Sequence, residues 1–202
     1  ASILAALSSL DVPVPEVLAE GTSPVPFVLV SAVPGTMVWD VVDPRRARRS
    51  QASSLAVLAS FGAMLARIHA LPLDRGPQLR VGLEDLDDVV GRRVPDDARH
   101  IAAWLVDNAP QRRERCFVHG DYNVANVLVD EGRGVAVVDW EFAGTGWREF
   151  EHAWALRART HFLDTDAERN ALLHGYRTIG AFDAHGLRWC EVLVCLRFAE
   201  WS

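Results

Sequence analysis

One segment restricts the fold of this chain more than any other: two short apolar runs on either side of a polar, glycine-containing turn. The runs are residues 127–129 and 135–138, and the turn is residues 130–134. Alternating β-branched residues around such a turn are typical of a β-hairpin. The sequence therefore predicts that this stretch folds back on itself as two antiparallel strands.

The polar residues at the open end of this hairpin indicate a site for a metal and phosphate groups. If the turn is centred between Gly132 and Arg133, Asn126 lies directly across from Asp139, at a distance of about 5 Å. An amide oxygen and a carboxylate oxygen at this spacing can share a hard cation. Mg²⁺ takes one or two such protein ligands and completes its shell with water and substrate phosphates. Asp121 precedes them by a few residues, on the same rim.

Two short motifs at this rim resemble those of a known family. The segment 119–121 (His-Gly-Asp), followed by Asn126, matches the catalytic loop of the aminoglycoside phosphotransferase family and its choline-kinase-like relatives. The segment 139–141 (Asp-Trp-Glu) matches that family's metal-binding segment. A kinase needs a carboxylate to orient the attacking hydroxyl and metal ligands to neutralise charge on the phosphates. The resemblance implies Asp121 as catalytic base, and Asn126 and Asp139 as magnesium ligands.

The resemblance also implies a fold and an activity. The expected fold is α+β and protein-kinase-like, with a mainly helical C-terminal lobe and a remnant of the N-terminal lobe sheet. The implied activity is transfer of the γ-phosphate of ATP or GTP, with Mg²⁺, to a hydroxyl of a small molecule, for example an aminoglycoside or another antibiotic. The helices after residue 154 match the family only loosely, and a near-balance of acids and arginines there gives no sign of a site for a polycation.

A second stretch resembles the family's hinge strand, whose backbone pairs with the nucleotide base. It covers residues 26–35, and the resemblance implies that the Ser31 carbonyl and the Val33 amide face adenine. We expect residues 1–33 to be a remnant of the nucleotide lobe and residues 34–202 to be the helical catalytic and substrate lobe.

The chain contains no lysine, since all 21 of its Lys and Arg residues are arginine. A kinase normally uses a strand lysine to hold the nucleotide phosphates, and no glycine-rich phosphate loop is present either. The chain also lacks an initiator methionine. We therefore expect a fragment without most of the nucleotide lobe, itself inactive. The alternative is a pseudokinase-like module that binds a ligand without phosphoryl transfer.

Several residues near the motifs have a structural as well as a functional interpretation. In the resembling family the residue at His119 braces the catalytic loop, and the structural interpretation is favoured here. His69, at the end of an apolar helical face, is expected to be a core histidine with satisfied hydrogen bonds. Glu141 could approach a metal or lie solvated in a turn. Glu151, where the family usually has aspartate, is expected to stabilise a helix start, and Trp154 is expected in the core.

Composition limits the possible partners. The formal net charge of −6 has the wrong sign for a nucleic-acid binder. Three cysteines without a Cys-x-x-Cys spacing favour reduced thiols and a cytoplasmic location. No apolar run was expected to be long enough for a membrane span. The expected partner is a small-molecule hydroxyl acceptor, without nucleic acid or membrane; the oligomeric state is left open.

Periodicity along the chain predicts further elements. Two strands are expected before the hinge boundary, at 17–21 and 27–33. The helix predicted over 96–108 can be capped by Asp96. The helices are predicted at 1–9, 45–70, 96–108, 149–160, 166–179 and 184–201.

Overall fold

The computed structural model describes seven stretches of the chain: residues 2–8, 12–43, 51–73, 96–111, 114–130, 133–157 and 165–199. The strands within them are β1 Val17–Gly21, β2 Phe27–Val30, β3 Thr36–Met37, β4 Arg115–Val118, β5 Val127–Asp130, β6 Arg133–Val137 and β7 Gly144–Trp147. The α-helices are α1 Ser2–Ser8, α2 Val38–Val42, α3 Gln51–His69, α4 Arg99–Asp107, α5 Arg148–Arg157, α6 Asp166–Arg177 and α7 Ala184–Ala199. The expected α+β, kinase-like fold is confirmed by the solved structures described below.

The strands form three small antiparallel sheets. β1 pairs with β2, β5 lies between β3 and β6, and β4 pairs with β7. The pairing of β4 with β7 runs from Arg115 opposite Trp147 to Val118 opposite Gly144. The predicted catalytic loop begins directly after Val118, and α5 begins directly after Trp147. This pairing therefore connects the loop and α5 to the same small sheet.

Helix α3 forms the centre of the core. Its buried side chains are Val57, Leu58, Phe61, Met64, Leu65 and Ile68, as predicted, whereas Leu55 is only half-buried. By length and composition alone, the segment Ala52–His69 is long and apolar enough to cross a membrane, whereas no such run was expected from the sequence. Half of that window is buried inside the protein, as in the core helix of a packed lobe.

Helices α3 and α6 cross with their backbones almost in contact. A Cβ added to Gly62 would lie 2.0 Å from the Leu172 carbonyl oxygen, and one added to Gly175 would lie 1.9 Å from the Ala59 carbonyl oxygen. Real Cβ atoms essentially never approach backbone so closely. Only glycine therefore fits at these two positions.

Some expectations about local structure are wrong. Asp96 does not cap α4, because it begins a 3₁₀ turn and its carboxylate pairs with Arg99 at 2.7 Å. The N-cap residue is Ala98, which makes no side-chain cap. Strand β2 ends at Val30 rather than at residue 33. The predicted starts and ends of helices at 45–50, 158–160 and 200–201 lie outside the described residues.

The predicted boundary between residues 33 and 34 stays a prediction. Leu7 and Val12, before that boundary, are buried in the same hydrophobic cluster as the helical core. The Val137 amide also donates to the Pro13 carbonyl at 2.8 Å.

Candidate active site

The loop from residue 119 to residue 126 joins β4 to β5 and carries most of the candidate site. Its second residue, Gly120, has a φ of 87°, in the left-handed region that favours glycine. A Cβ there would lie 2.1 Å from the Phe142 carbonyl oxygen. Glycine thus lets the loop pack directly against the turn at residues 141–142, next to Asp139.

The Asp121 carboxylate is held by three side-chain N–H donors. Its Oδ1 accepts from Asn123 Nδ2 at 3.0 Å and from Trp154 Nε1 at 2.8 Å. Its Oδ2 accepts from Asn126 Nδ2 at 3.1 Å. Since Asp121 itself is only half-buried, the carboxylate is oriented by the protein while it stays open to solvent.

The amide of Asn126 has one orientation that satisfies its neighbours. Its Nδ2 donates both to the Asp121 backbone carbonyl, at 2.9 Å, and to the Asp121 carboxylate. Because both neighbours are acceptors, the nitrogen must face them. The Asn126 Oδ1 is left to face away from Asp121, as a metal ligand would require.

Asp139 lies at the same end of the hairpin, but one residue away from the expected register. The Val138 amide donates to the Asn126 carbonyl at 2.9 Å, so Asn126 lies opposite Val138 and not directly opposite Asp139. The turn joins Asp130 to Arg133, and an irregularity between Leu128 and Val129 shifts the pairing. The assumed turn centre was therefore wrong by one residue.

The backbone at Asp139 has an unusual conformation. Its φ of 65° is the only positive value among non-glycine residues that the structure describes. A left-handed residue turns the chain sharply at the end of the strand and is uncommon outside glycine. Asp139 is exposed and Asn126 is buried, at the same open end of the hairpin.

His119 ties the loop to the end of β6. Its Nε2 donates to the Val138 carbonyl at 2.8 Å, and its Nδ1 accepts from the Asp121 amide at 3.2 Å. These two bonds define a neutral ring with the proton on Nε2. Burial lowers the pKa of His119. Both ring nitrogens are therefore engaged, and neither is free for base catalysis.

Glu151, in the first turn of α5, has a different role from the one expected. It was predicted to stabilise a helix start, yet its carboxylate accepts from the backbone of the loop. Oε2 accepts from the His119 amide at 3.0 Å and Oε1 accepts from the Gly120 amide. Burial raises the pKa of Glu151 to about 7, and these two amides partly oppose that increase.

His69 is a core histidine with satisfied hydrogen bonds, as expected. Its Nε2 donates to Glu151 Oε2 at 3.0 Å, and its Nδ1 accepts from the Tyr176 hydroxyl at 2.9 Å. Burial lowers the pKa of His69 to about 3, so the contact with Glu151 is a hydrogen bond rather than an ion pair. Helices α3, α5 and α6 are joined to the loop through this chain of contacts.

The remaining candidates differ in what surrounds them. Glu141 is exposed in the turn after Asp139, which agrees with the solvated alternative. After β2, the Ser31 amide donates to the Glu16 carbonyl at 2.8 Å, and Val33 is half-buried. Among the described residues, no three His, Cys, Asp or Glu side chains form a metal cluster. An amide and a carboxylate, completed by water and phosphate, are nonetheless what Mg²⁺ uses beside a nucleotide.

Two contacts in this site could not be found by motif. Glu151 and Trp154 lie some thirty residues after the loop and reach it only because β4 pairs with β7. The available signal was their spacing of three in a predicted helix, which places both on one face. Trp154 was expected in the core; it is buried, but its indole N–H also reaches Asp121.

Comparisons with known proteins identify the family of this chain. Residues 1–190 match the phosphotransferase enzyme family, APH. Among curated proteins, a glucosamine kinase from Streptacidiphilus jiangxiensis is 31% identical over 149 residues, which are 61% of this chain and 34% of that protein. The chain thus spans about a third of the length of that relative.

Solved structures show the same fold. Aminoglycoside phosphotransferase APH(3'')-Id from Streptomyces rimosus, in complex with ADP and streptomycin, superposes with a TM-score of 0.66 and 22% identity, covering 96% of this chain and 79% of that one. The GDP complex of aminoglycoside 2'-phosphotransferase-IIIa gives a TM-score of 0.73 at 13% identity, covering 99% and 72%. With the family match over residues 1–190, the chain belongs to the phosphotransferase enzyme family.

Proposed function

We propose that this chain is the catalytic part of a small-molecule kinase. It would move the γ-phosphate of ATP or GTP to a hydroxyl of a small acceptor. The observation that carries the proposal is the Asp121 carboxylate, which is held by three N–H donors beside Asn126 and Asp139 at one end of a hairpin. Phosphoryl transfer needs mainly positioning and charge stabilisation, and this arrangement provides both.

Asp121 is assigned the role of base. Its carboxylate orients the acceptor hydroxyl and takes the proton as the oxygen attacks the γ-phosphorus. The bond between the γ-phosphorus and its bridging oxygen breaks, and the nucleoside diphosphate leaves. His119 supports this role indirectly. Its Nδ1 accepts a hydrogen bond from the Asp121 backbone amide and so fixes the backbone of the residue that carries the carboxylate.

Asn126 Oδ1 and the Asp139 carboxylate are assigned as the magnesium ligands. When bound, Mg²⁺ supplies positive charge that stabilises the phosphate oxygens. The Asn126 nitrogen is already turned toward Asp121, so its oxygen needs no reorientation to serve as ligand. The exposed Asp139 adds the negative charge that a divalent cation favours.

For the nucleotide, we assign the Ser31 carbonyl and the Val33 amide to the base edge. Val33 is the last possible donor before Pro34, which has no amide hydrogen. Structural relatives in complex with ADP and with GDP support a purine nucleotide without choosing between the two. For the acceptor, the named relatives support an amino sugar or aminoglycoside hydroxyl, and we place the reaction in the cytoplasm.

The central test is turnover in the full-length protein. Asp121→Asn should lower phosphoryl transfer about 10²–10⁴-fold and leave nucleotide binding intact, because the carboxylate acts on the acceptor. Asp130→Asn is the matched control, since Asp130 is exposed at the other end of the same hairpin. Transfer to glucosamine, streptomycin and a panel of amino alcohols would be followed with ATP and GTP. Equal turnover by wild type and Asp121→Asn would reject Asp121 as base.

A second measurement concerns the metal. Mg²⁺ should increase nucleotide affinity in titration calorimetry, and Asp139→Asn should remove most of that increase because it removes the charged ligand. Magnesium-dependent binding without transfer to any acceptor would instead favour a pseudokinase-like binding module. Unchanged magnesium dependence in Asp139→Asn would contradict the ligand assignment.

A further inference from the structure

We propose that Trp154 is a positioning residue that fixes the orientation of the Asp121 carboxylate and leaves its Oδ2 to face the acceptor hydroxyl. The inference rests on the proposed function of Asp121 as base. Its geometric basis is the 2.8 Å hydrogen bond from the Trp154 indole to Asp121 Oδ1. This donor comes from α5, whereas Asn123 and Asn126 belong to the same loop as Asp121.

The two carboxylate oxygens of Asp121 are not equivalent. Oδ1 accepts two side-chain hydrogen bonds, from Asn123 and Trp154, which fill its two lone pairs. Oδ2 accepts one, from Asn126. Oδ2 therefore keeps a lone pair for an incoming hydroxyl. Without the indole, Oδ1 would regain a lone pair and the carboxylate could present either oxygen.

An indole is suited to this role for two chemical reasons. It is a donor only, so it can neither take the acceptor's proton nor compete with Asp121 for it. It is also rigid, and here it is 8% exposed and stacked against Phe150 with ring centroids 6.4 Å apart. The position of Nε1 is thereby set by packing in the lobe and not by the loop itself.

One face of α5 binds both the backbone of the catalytic loop and the side chain of Asp121. The Glu151 carboxylate accepts hydrogen bonds from the backbone amides of His119 and Gly120. Trp154, three residues later, donates a hydrogen bond to the Asp121 carboxylate. Residues three apart on a helix lie on the same face. The first two turns of α5 thus fix the loop at two places. Glu151 holds its backbone, and Trp154 holds the carboxylate that is proposed to act as the base.

The contact can be tested without any substrate. In a ¹H–¹⁵N spectrum of the full-length protein, Trp154→Phe identifies the Trp154 indole resonance by its loss. In Asp121→Asn that resonance should move upfield and its proton should exchange faster, because the charged acceptor is gone. The indole of Trp189, which donates to the Leu105 carbonyl at 2.8 Å, should not move. An unmoved Trp154 resonance would overturn the proposal.

The role can be tested by a double-mutant cycle. Trp154→Phe should lower kcat about 10- to 100-fold, as expected for a misoriented catalytic group, with little change in the KM for the nucleotide. In the Asp121→Asn background the same substitution should have no further effect, because there is no base left to orient. Trp189→Phe is the matched control: it also removes an indole donor from the lobe, and its kcat should stay within about twofold of wild type.

The outcomes separate this inference from the proposed function. Multiplying effects of Trp154→Phe and Asp121→Asn, or an equal loss of kcat in Trp189→Phe, would show a general structural role and reject positioning. If wild type transfers phosphate to no acceptor, the proposed function fails, and the indole resonance alone then decides whether Trp154 holds Asp121. A displaced resonance together with a non-additive cycle supports the inference.

Discussion

Two hairpins in this protein have similar sequences and opposite surroundings. β1–β2 and β5–β6 are both short antiparallel pairs rich in β-branched and aliphatic residues. In β5 and β6, Val127, Val129 and Val137 are at most 3% exposed. In β2, every residue is exposed, including Phe27 at 48% and Leu29 at 54%.

This difference teaches that strand formation and strand burial are decided separately. Pairing is local, so both hairpins follow from short apolar runs on either side of a turn. Burial depends on what packs against each face: β5–β6 lies against the helical core, whereas β1–β2 presents apolar side chains on both of its faces within the described residues. A strand that is apolar on both faces is typical of a sheet covered on both sides.

The largest expected effect on stability concerns the loop of residues 119–126, beside the buried hairpin. Glu151→Gln should lower the free energy of unfolding by roughly 3 kcal/mol, because an amide offers one acceptor oxygen where the His119 and Gly120 amides and His69 now share two. Glu20→Gln, in the exposed β1, is the control and should change stability by less than about 0.5 kcal/mol. Urea denaturation measures both, and similar losses would contradict the comparison.

A matched pair of valines tests the two hairpins directly. Val127→Ala should cost about 2 kcal/mol, because it leaves a cavity in a fully buried site. Val28→Ala, at a residue 45% exposed, should cost less than about 0.5 kcal/mol. If the second substitution destabilised as much as the first, β2 would have to be buried in solution, for example in an association of copies.

Much of the site was accessible from sequence because its parts are near each other along the chain. Asp121, Asn126 and the β5–β6 hairpin lie within about one supersecondary unit. Local alternation predicts the hairpin, whereas the roles of the two residues are implied by the resemblance of their motifs. The register failed by one residue, because the turn is centred one residue earlier than assumed and a bulge between Leu128 and Val129 then shifts the pairing. A bulge leaves no clear mark in a run of valine, alanine and glycine. Helix α2 was not predicted, because Val38–Val42 is rich in β-branched residues.

Other parts were not accessible because they depend on distant pairing. Nothing local to 144–147 indicates a strand, since two of its four residues are glycine; it becomes one by pairing with β4. That pairing is also what brings Glu151 and Trp154 to the loop. Composition likewise could not show that the Trp154 indole, besides packing in the core, donates a hydrogen bond to the Asp121 carboxylate.

The smallest expected effect is a pH dependence confined to the packed region. The pKa of His69 is lowered by burial to about 3, against an ordinary value of 6.5. Below pH 6.5 the unfolded chain binds a proton that the folded protein does not, so the stability contributed by His69 is lost as the pH falls from 6.5 toward 3. His69→Gln should remove roughly 1 kcal/mol of the loss of stability between pH 6.5 and 5.5.

The control for this measurement is an exposed histidine. His185→Gln, at an exposed position in the first turn of α7, controls for the replacement of a histidine by glutamine. Thermal or urea unfolding at several pH values measures all three proteins. An acid dependence that is the same in wild type and His69→Gln would show that His69 already carries a proton in the folded protein.

The crossing of α3 and α6 has a consequence for how this enzyme family's sequence can vary. Gly62 and Gly175 leave no room for even one methyl group, so a saturation library should tolerate neither position singly. An alanine there would force the two helices apart and move Tyr176 away from His69. This would break the first of the hydrogen bonds that connect α6 to the loop of residues 119–126. A screen on turnover would then report these glycines as if they belonged to the proposed active site, although neither lies in it.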